Sequence, residues 1–70
     1  MEQYKRKDLV RITYQDESTI YLGLIENIED GSLHLSPATE FHEGQRGPTY
    51  DFIGLYLNAI ISILKIDREE

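Results

Sequence analysis

The side chains that could carry chemistry are few and scattered. Cys is absent from the 70 residues, and the two histidines are His34 and His42. Disulfides, thiolate metal sites and cysteine nucleophiles are thereby excluded, and two imidazoles are too few for a structural metal without several carboxylates. Carboxylates stand close together at Glu29-Asp30 and at Glu40 with Glu43, a pattern open to acid–base work or a hard cation. Neither pair has a His, Lys or Ser at a spacing typical of a catalytic set, so the chain reads as a non-enzyme with no cofactor. His34 could stack on a base or pair with a carboxylate, but a lone His at an alternating strand position is more often surface filling. Tyr4, Tyr14, Tyr21, Tyr50 and Tyr56 offer stacking platforms with Lys5 or Arg11 nearby, against the usual habit of packing the ring and wetting the hydroxyl.

Charge narrows the partners. Seven basic residues face 13 acidic ones, a formal net charge of −6, so the long-range field repels polyanions and any nucleic-acid contact has to be local. Lys5, Arg6, Lys7 and Arg11 crowd the N-terminal end, whereas Arg46 is the one base between Asp16 and Asp51. The basic run reads either as solvated surface or as a rim for phosphate.

With 40% hydrophobic residues, the chain supports one small domain over residues 1–70. A core of this size supplies only about 3–5 kcal/mol, so some further staple is needed, and without Cys or a metal the remaining one is oligomerisation. The most apolar region, Ile53 to Leu64, is interrupted by Gly54, Asn58 and Ser62 and is too short to span a bilayer. A soluble, cytoplasmic protein with no membrane contact is expected.

The elements follow from periodicity. Val10, Ile12 and Tyr14 alternate with Leu9, Arg11 and Thr13, predicting a half-buried first strand, and a polar turn at Gln15-Asp16-Glu17-Ser18 leads to a second over Thr19 to Glu29. Its apolar face begins on Ile20, Leu22 and Leu24, yet Tyr21 and Ile25 lie on the other side with Gly23 between them, where a missing Cβ permits a bend. Glu29-Asp30-Gly31-Ser32 is a hairpin turn into a third strand that points Leu33 and Leu35 inward. Ser36 to Pro48 is polar and reads as a loop or a solvated hairpin extension. Tyr50 to Leu57 and Ala59 to Ile66 give strands four and five, parted at Asn58. A helix over Phe52 to Ile66 competes, but Ile60, Ile61, Ile63 and Ile66, with Gly54 inside the run, favour strands. Glu2 to Asp8 is long enough for one short helical turn. The expected fold is all-β: a five-stranded, strongly bent small barrel, with Ile53, Leu55, Leu57, Ile61 and Ile63 at a subunit contact.

Two stretches carry a family likeness. Val10 to Asp16, followed by Tyr21-Leu22-Gly23-Leu24-Ile25-Glu26-Asn27-Ile28-Glu29, is similar to the first sequence motif of the Sm-like superfamily, the Sm, LSm and Hfq proteins. Leu55-Tyr56-Leu57-Asn58-Ala59-Ile60-Ile61-Ser62-Ile63 resembles the second motif, with Tyr56, Ala59 and Ile60 in register. The departures are Glu17 at the turn glycine, one extra residue between Asp16 and Gly23, Glu29-Asp30-Gly31-Ser32 in place of an Asp-x-x-Met-Asn turn, and Leu57-Asn58 in place of a Lys-His or Arg-Gly element. The last removes a cation and keeps a hydrogen-bonding amide.

The resemblance implies a homo-oligomeric ring, closed by strand-four to strand-five pairing between copies, that binds short single-stranded RNA in a pore. By position the RNA-contacting residues would be Asp30, Gly31, Ser32, His34 and Asn58, with Lys5, Arg6, Lys7 and Arg11 at the phosphate rim. The competing expectation is an SH3-type interaction or structural barrel with an acidic surface and no nucleic-acid binding.

Overall fold

The computed structural model describes residues 4–66. It is all-β: β1 (Leu9–Tyr14), β2 (Thr19–Glu29), β3 (Ser32–His42), β4 (Gln45–Tyr50), β5 (Ile53–Tyr56) and β6 (Ile60–Lys65), with a 3-10 turn at Leu57–Ala59 between the last two strands. All pairings are antiparallel, in the order β4-β3-β2-β1-β6, and β5 also pairs β3. The first half of β3 pairs β5 (Ser32 opposite Tyr56, Leu35 opposite Ile53), and its second half pairs β4 (Ala38 opposite Tyr50, His42 opposite Gln45). The expected fourth strand, Tyr50 to Leu57, corresponds to β5, and β4 is a sixth strand that begins in the polar segment before it. The break between β4 and β5 falls at Asp51-Phe52, where the Asp51 carbonyl accepts a 2.8 Å bond from the Ser36 hydroxyl.

The core is Val10, Ile12, Tyr14, Tyr21, Ile25, Leu33, Leu35, Ala38 and Leu55, each large aliphatic side chain contributing about 1.5–3 kcal/mol on burial. Strand one and the Leu33–Leu35 pair face inward as their alternation predicts. Three expectations are corrected. The buried side of β2 is Tyr21, Gly23 and Ile25, and the Ile20, Leu22, Leu24 side lies half-buried on the outer surface. The reason is steric: a Cβ on Gly23 would collide with the Pro37 carbonyl oxygen and stand 2.8 Å from Ala38 Cβ, so β2 and β3 touch backbone to backbone there and the sheet folds toward that side. The ladder slips between Gly23 and Ile25 at the same point.

The polar segment 36–48 is not a loop. It is the hairpin extension, the end of β3 and the start of β4, turned by Glu43 and Gly44 at φ of 52° and 81°. These values match the left-handed pair at Asp30-Gly31, φ 52° and 75°, which makes the predicted hairpin between β2 and β3. Within Tyr4–Asp8 there is a tight turn instead of a helical one. The Asp8 amide donates to the Lys5 carbonyl at 3.0 Å, the Lys5 amide donates to Asp8 Oδ2 at 2.9 Å, and Lys7 takes φ 74°. Glu2 lies outside the described residues. Among the described residues, no helix is long and apolar enough to cross a membrane.

Three bonds draw the far ends of the sheet together. The Tyr56 amide donates to the Tyr14 hydroxyl oxygen at 3.0 Å, the Leu57 amide to the Gly31 carbonyl at 2.9 Å, and the Gln15 amide to the Ala59 carbonyl at 2.7 Å. At the other end of the inner face, Tyr14 and Tyr21 meet edge to face at 5.8 Å, and one oxygen of Glu40 accepts from the hydroxyls of Tyr21 (3.2 Å) and Tyr50 (2.9 Å).

Two outcomes follow from this packing. Gly23→Ala should lose about 1–3 kcal/mol by urea denaturation, because its methyl meets backbone that cannot move aside. Burial first, then the Glu40 carboxylate, pushes the Tyr21 hydroxyl from 10.0 up to about 12; the hydrogen bond to Glu40 moves Tyr50 the same way. The fold thus favours the neutral phenols, so this stabilisation is fully present below pH 10 and is lost as pH rises toward 12. Urea midpoints measured through that window should fall, and should fall less steeply in Tyr21→Phe.

Candidate nucleic-acid interface

The two turns that the sequence singles out lie side by side. Gly31 accepts from the Leu57 amide, Ser32 is opposite Tyr56, and Asn58 is exposed within the 3-10 turn that the Ile60 amide closes onto the Leu57 carbonyl. Asp30, Gly31, Ser32 and Asn58 therefore share one end of the sheet.

His34 sits just inward of that end. It points outward from β3 between Asn27 of β2 and Gly54 of β5, its ladder partners on either side. Its Nδ1 bonds to the side-chain oxygen of Asn27. With that oxygen accepting, the proton lies on Nδ1 and the neutral ring keeps an acceptor lone pair on Nε2. Gly54 makes room for the ring, since a Cβ there would stand 3.0 Å from His34 Cδ2. Past Gly54 the imidazole meets Phe52, centroids 5.2 Å apart and planes tilted by 30°. Phe52 and Tyr56 are 57% and 67% exposed, which sets them apart from the other described tyrosines: Tyr14 and Tyr21 are buried, and Tyr4 and Tyr50 half-buried. The result is an outward aromatic shelf of His34, Phe52 and Tyr56 with amide and hydroxyl groups from Asn27, Ser32 and Asn58 around it.

Asn27, Phe52 and Gly54 are absent from the residues that sequence reasoning selects as a site. The alternation contained the clue. If Ile53 and Leu55 face inward, then Phe52, Gly54 and Tyr56 face out, and two exposed aromatics flanking a glycine are a shelf with a recess.

The basic residues do not form one rim. Arg6 pairs with Glu26 at 3.2 Å and, with Tyr4, Ile25, Asn27 and Ile28, lines a shallow depression beside the His34 partner Asn27. Lys5 and Lys7 belong to the same tight turn, and Lys65 lies 3.6 Å from Asp8. That carboxyl is held below its usual range chiefly by the Lys5 amide bond, with Lys65 adding to the effect. Arg11 is elsewhere, on the outer surface of β1 between Leu22 and Leu64.

The expected contact residues also divide. Leu55 is 1% exposed and belongs to the core of its own chain, so it is removed from any subunit contact. Ile53, Leu57 and Ile63 are half-buried, and Ile61 is exposed together with Leu64, Phe52 and Tyr56. Among the described residues, β5 is paired on β3 alone and β6 on β1 alone, leaving one open edge on each. Compared with known proteins, the chain matches no family model and no curated sequence.

The shelf depends on the recess at Gly54. Gly54→Val should push the imidazole off the phenyl ring, seen as a loss of the ring-current shift on the His34 Cδ2 proton, while the circular dichroism spectrum of the fold persists.

Proposed function

We propose that this protein is a self-assembling barrel of the Sm-like kind that binds short single-stranded RNA. The observation that carries the reading is the exposed His34–Phe52 stack with Tyr56, set beside the Asp30-Gly31-Ser32 turn and Asn58. Stacked bases gain about 1–3 kcal/mol each on such side chains, whatever the base. Asp30 accepts from base amino groups, and Asn27 or Asn58 can donate to or accept from a base edge. With a net charge of −6 the chain gains little from phosphate, so a single shelf binds weakly, and several copies on one strand supply the affinity by effective concentration. The open edges of β5 and β6 and the exposed Ile61 and Leu64 support head-to-tail pairing of copies, the heterologous contact that closes a ring.

The acidic interaction barrel stays the second reading, favoured by the net charge and by Asn58 standing where a cation would hold phosphate.

Fluorescence polarisation of labelled U-rich and A-rich oligonucleotides, run beside light scattering for mass, tests the proposal. Saturable binding is expected, weakened about 5- to 100-fold by Phe52→Ala or Tyr56→Ala, the effect of losing one stacked base. Absence of saturation at concentrations on the order of tens of micromolar, or a monomeric mass that Ile61→Asp leaves unchanged, would overturn the RNA-binding and ring parts respectively.

A further inference from the structure

The outer face of the sheet carries a second surface, on different residues from the shelf. Ile20 and Leu22 of β2, the side of that strand turned away from the core, join Phe41 of β3, Arg11 of β1 and Gly44 at the hairpin tip around an apolar groove of about 240 Å³. The cross-strand register explains why these residues meet. Arg11 is opposite Leu22, Ile20 is opposite Phe41, and Phe41 is in turn opposite Arg46 of β4. The groove is therefore an apolar strip with Arg11 in its lining on one side and Arg46 across the ladder from Phe41 on the other.

Those two arginines differ from Arg6 and Lys65. Arg6 has Glu26 and Lys65 has Asp8, whereas the side chains of Arg11 and Arg46 have no ion-pair or hydrogen-bond partner among the described residues, in a chain with 13 acids. The volume falls short of the roughly 300–1,000 Å³ of small-molecule sites and suits one or two anchoring side chains. Arg11 and Arg46 stand three strand spacings apart across the sheet and two residues apart along it, about 16 Å between their backbones on a flat sheet, and an extended peptide covers about 13 Å between residues four apart, a difference that the long arginine and glutamate side chains span.

We infer that this groove docks a linear segment of another protein in which an apolar side chain lies midway between two carboxylates about four residues apart. The apolar side chain enters between Leu22 and Phe41, and the carboxylates pair with Arg11 and Arg46, where charge complementarity steers the segment into register. Nucleic acid is the weaker fit, because the floor of the groove is aliphatic and Phe41 is half-buried instead of presenting its face.

A capped Glu-Ser-Leu-Ser-Glu peptide titrated into the isotope-labelled full chain, followed by amide chemical shifts, tests the inference. Saturable shifts should appear at Ile20, Leu22, Phe41 and Gly44 with an affinity on the order of millimolar. The Gln-Ser-Leu-Ser-Gln analogue, or the exposed-site double variant Arg11→Gln/Arg46→Gln, should bind about fivefold more weakly, the loss expected for two exposed ion pairs. The inference is overturned if the shifts fall on other residues, if the neutral peptide binds equally well, or if nothing saturates. It is also overturned if diluting the protein alone moves the same resonances, which makes a second copy the occupant, or if a U-rich oligonucleotide moves them at lower concentration than the peptide.

Discussion

Everything in this molecule depends on a place where two strands touch without side chains between them. At Gly23 the backbone of β2 lies against Pro37 and Ala38 of β3 so closely that no Cβ fits. Two strands as long as Thr19–Glu29 and Ser32–His42 would otherwise form an extended ribbon with one face wasted on solvent. The contact, with its slip in register, bends them so that the first half of β3 can take β5 and the second half β4. It also decides which side of β2 is buried, because the bend closes toward the glycine. Tyr21 and Ile25 go inside, and Ile20 and Leu22 are left to line the outer groove.

The bend makes a cup, and closing it takes hydrogen bonds between residues far apart in sequence. Tyr14 is a core residue by its ring and a brace by its hydroxyl, which accepts the amide of Tyr56 at the end of β5. Next to it the Leu57 amide reaches the β2–β3 hairpin at Gly31. These bonds set the short 3-10 turn against the Asp30-Gly31 turn, so bringing the two candidate recognition loops together is a by-product of closure. Few fully buried side chains remain to pay for all of this in so short a chain, and exposed Phe52, Tyr56, Ile61 and Leu64 add apolar surface that folding alone leaves in water.

The alternation of Val10, Ile12 and Tyr14, the Asp-Gly hairpin and the β-branched C-terminal run made the strands legible in the sequence. So did Gly23 as the bend, since a glycine between two aromatic or aliphatic neighbours in a strand has few other uses. The sidedness of β2 was not legible, because both of its faces are apolar and only the direction of the bend breaks the tie. The hairpin at Glu43-Gly44 was half legible, since composition left a loop and a hairpin extension both open. Its strands are built largely of Thr, Glu, Gln, Arg and Pro, which hydropathy does not assign to loop or strand, and the ladder to the second half of β3 is held by backbone bonds that hydropathy does not see. Half of the candidate site was readable as turns. The aromatic shelf needed the parity of β5, which the expectation of a two-sided, subunit-buried strand obscured by treating Leu55 as a contact residue.

The distribution of charge separates what the two surfaces can do. Around the shelf, Arg6 is neutralised by Glu26, and Glu29 and Asp30 are exposed on the adjoining hairpin. A polymer approaching there meets a field that repels phosphate, so whatever binds must be held by the faces and edges of flat groups, and a duplex, which hides its bases and shows its phosphates, is selected against. The outer groove is the reverse case: its recess is apolar and its guanidiniums are unpaired, so it attracts carboxylates while offering no stacking face. An acid-rimmed aromatic shelf and an apolar groove flanked by arginines thus present different chemistry on one small sheet. Both proposed ligands are anionic, so the sign of charge alone does not sort them; the two surfaces differ in what they offer beside the charge, flat aromatic faces at the shelf and an aliphatic recess in the groove.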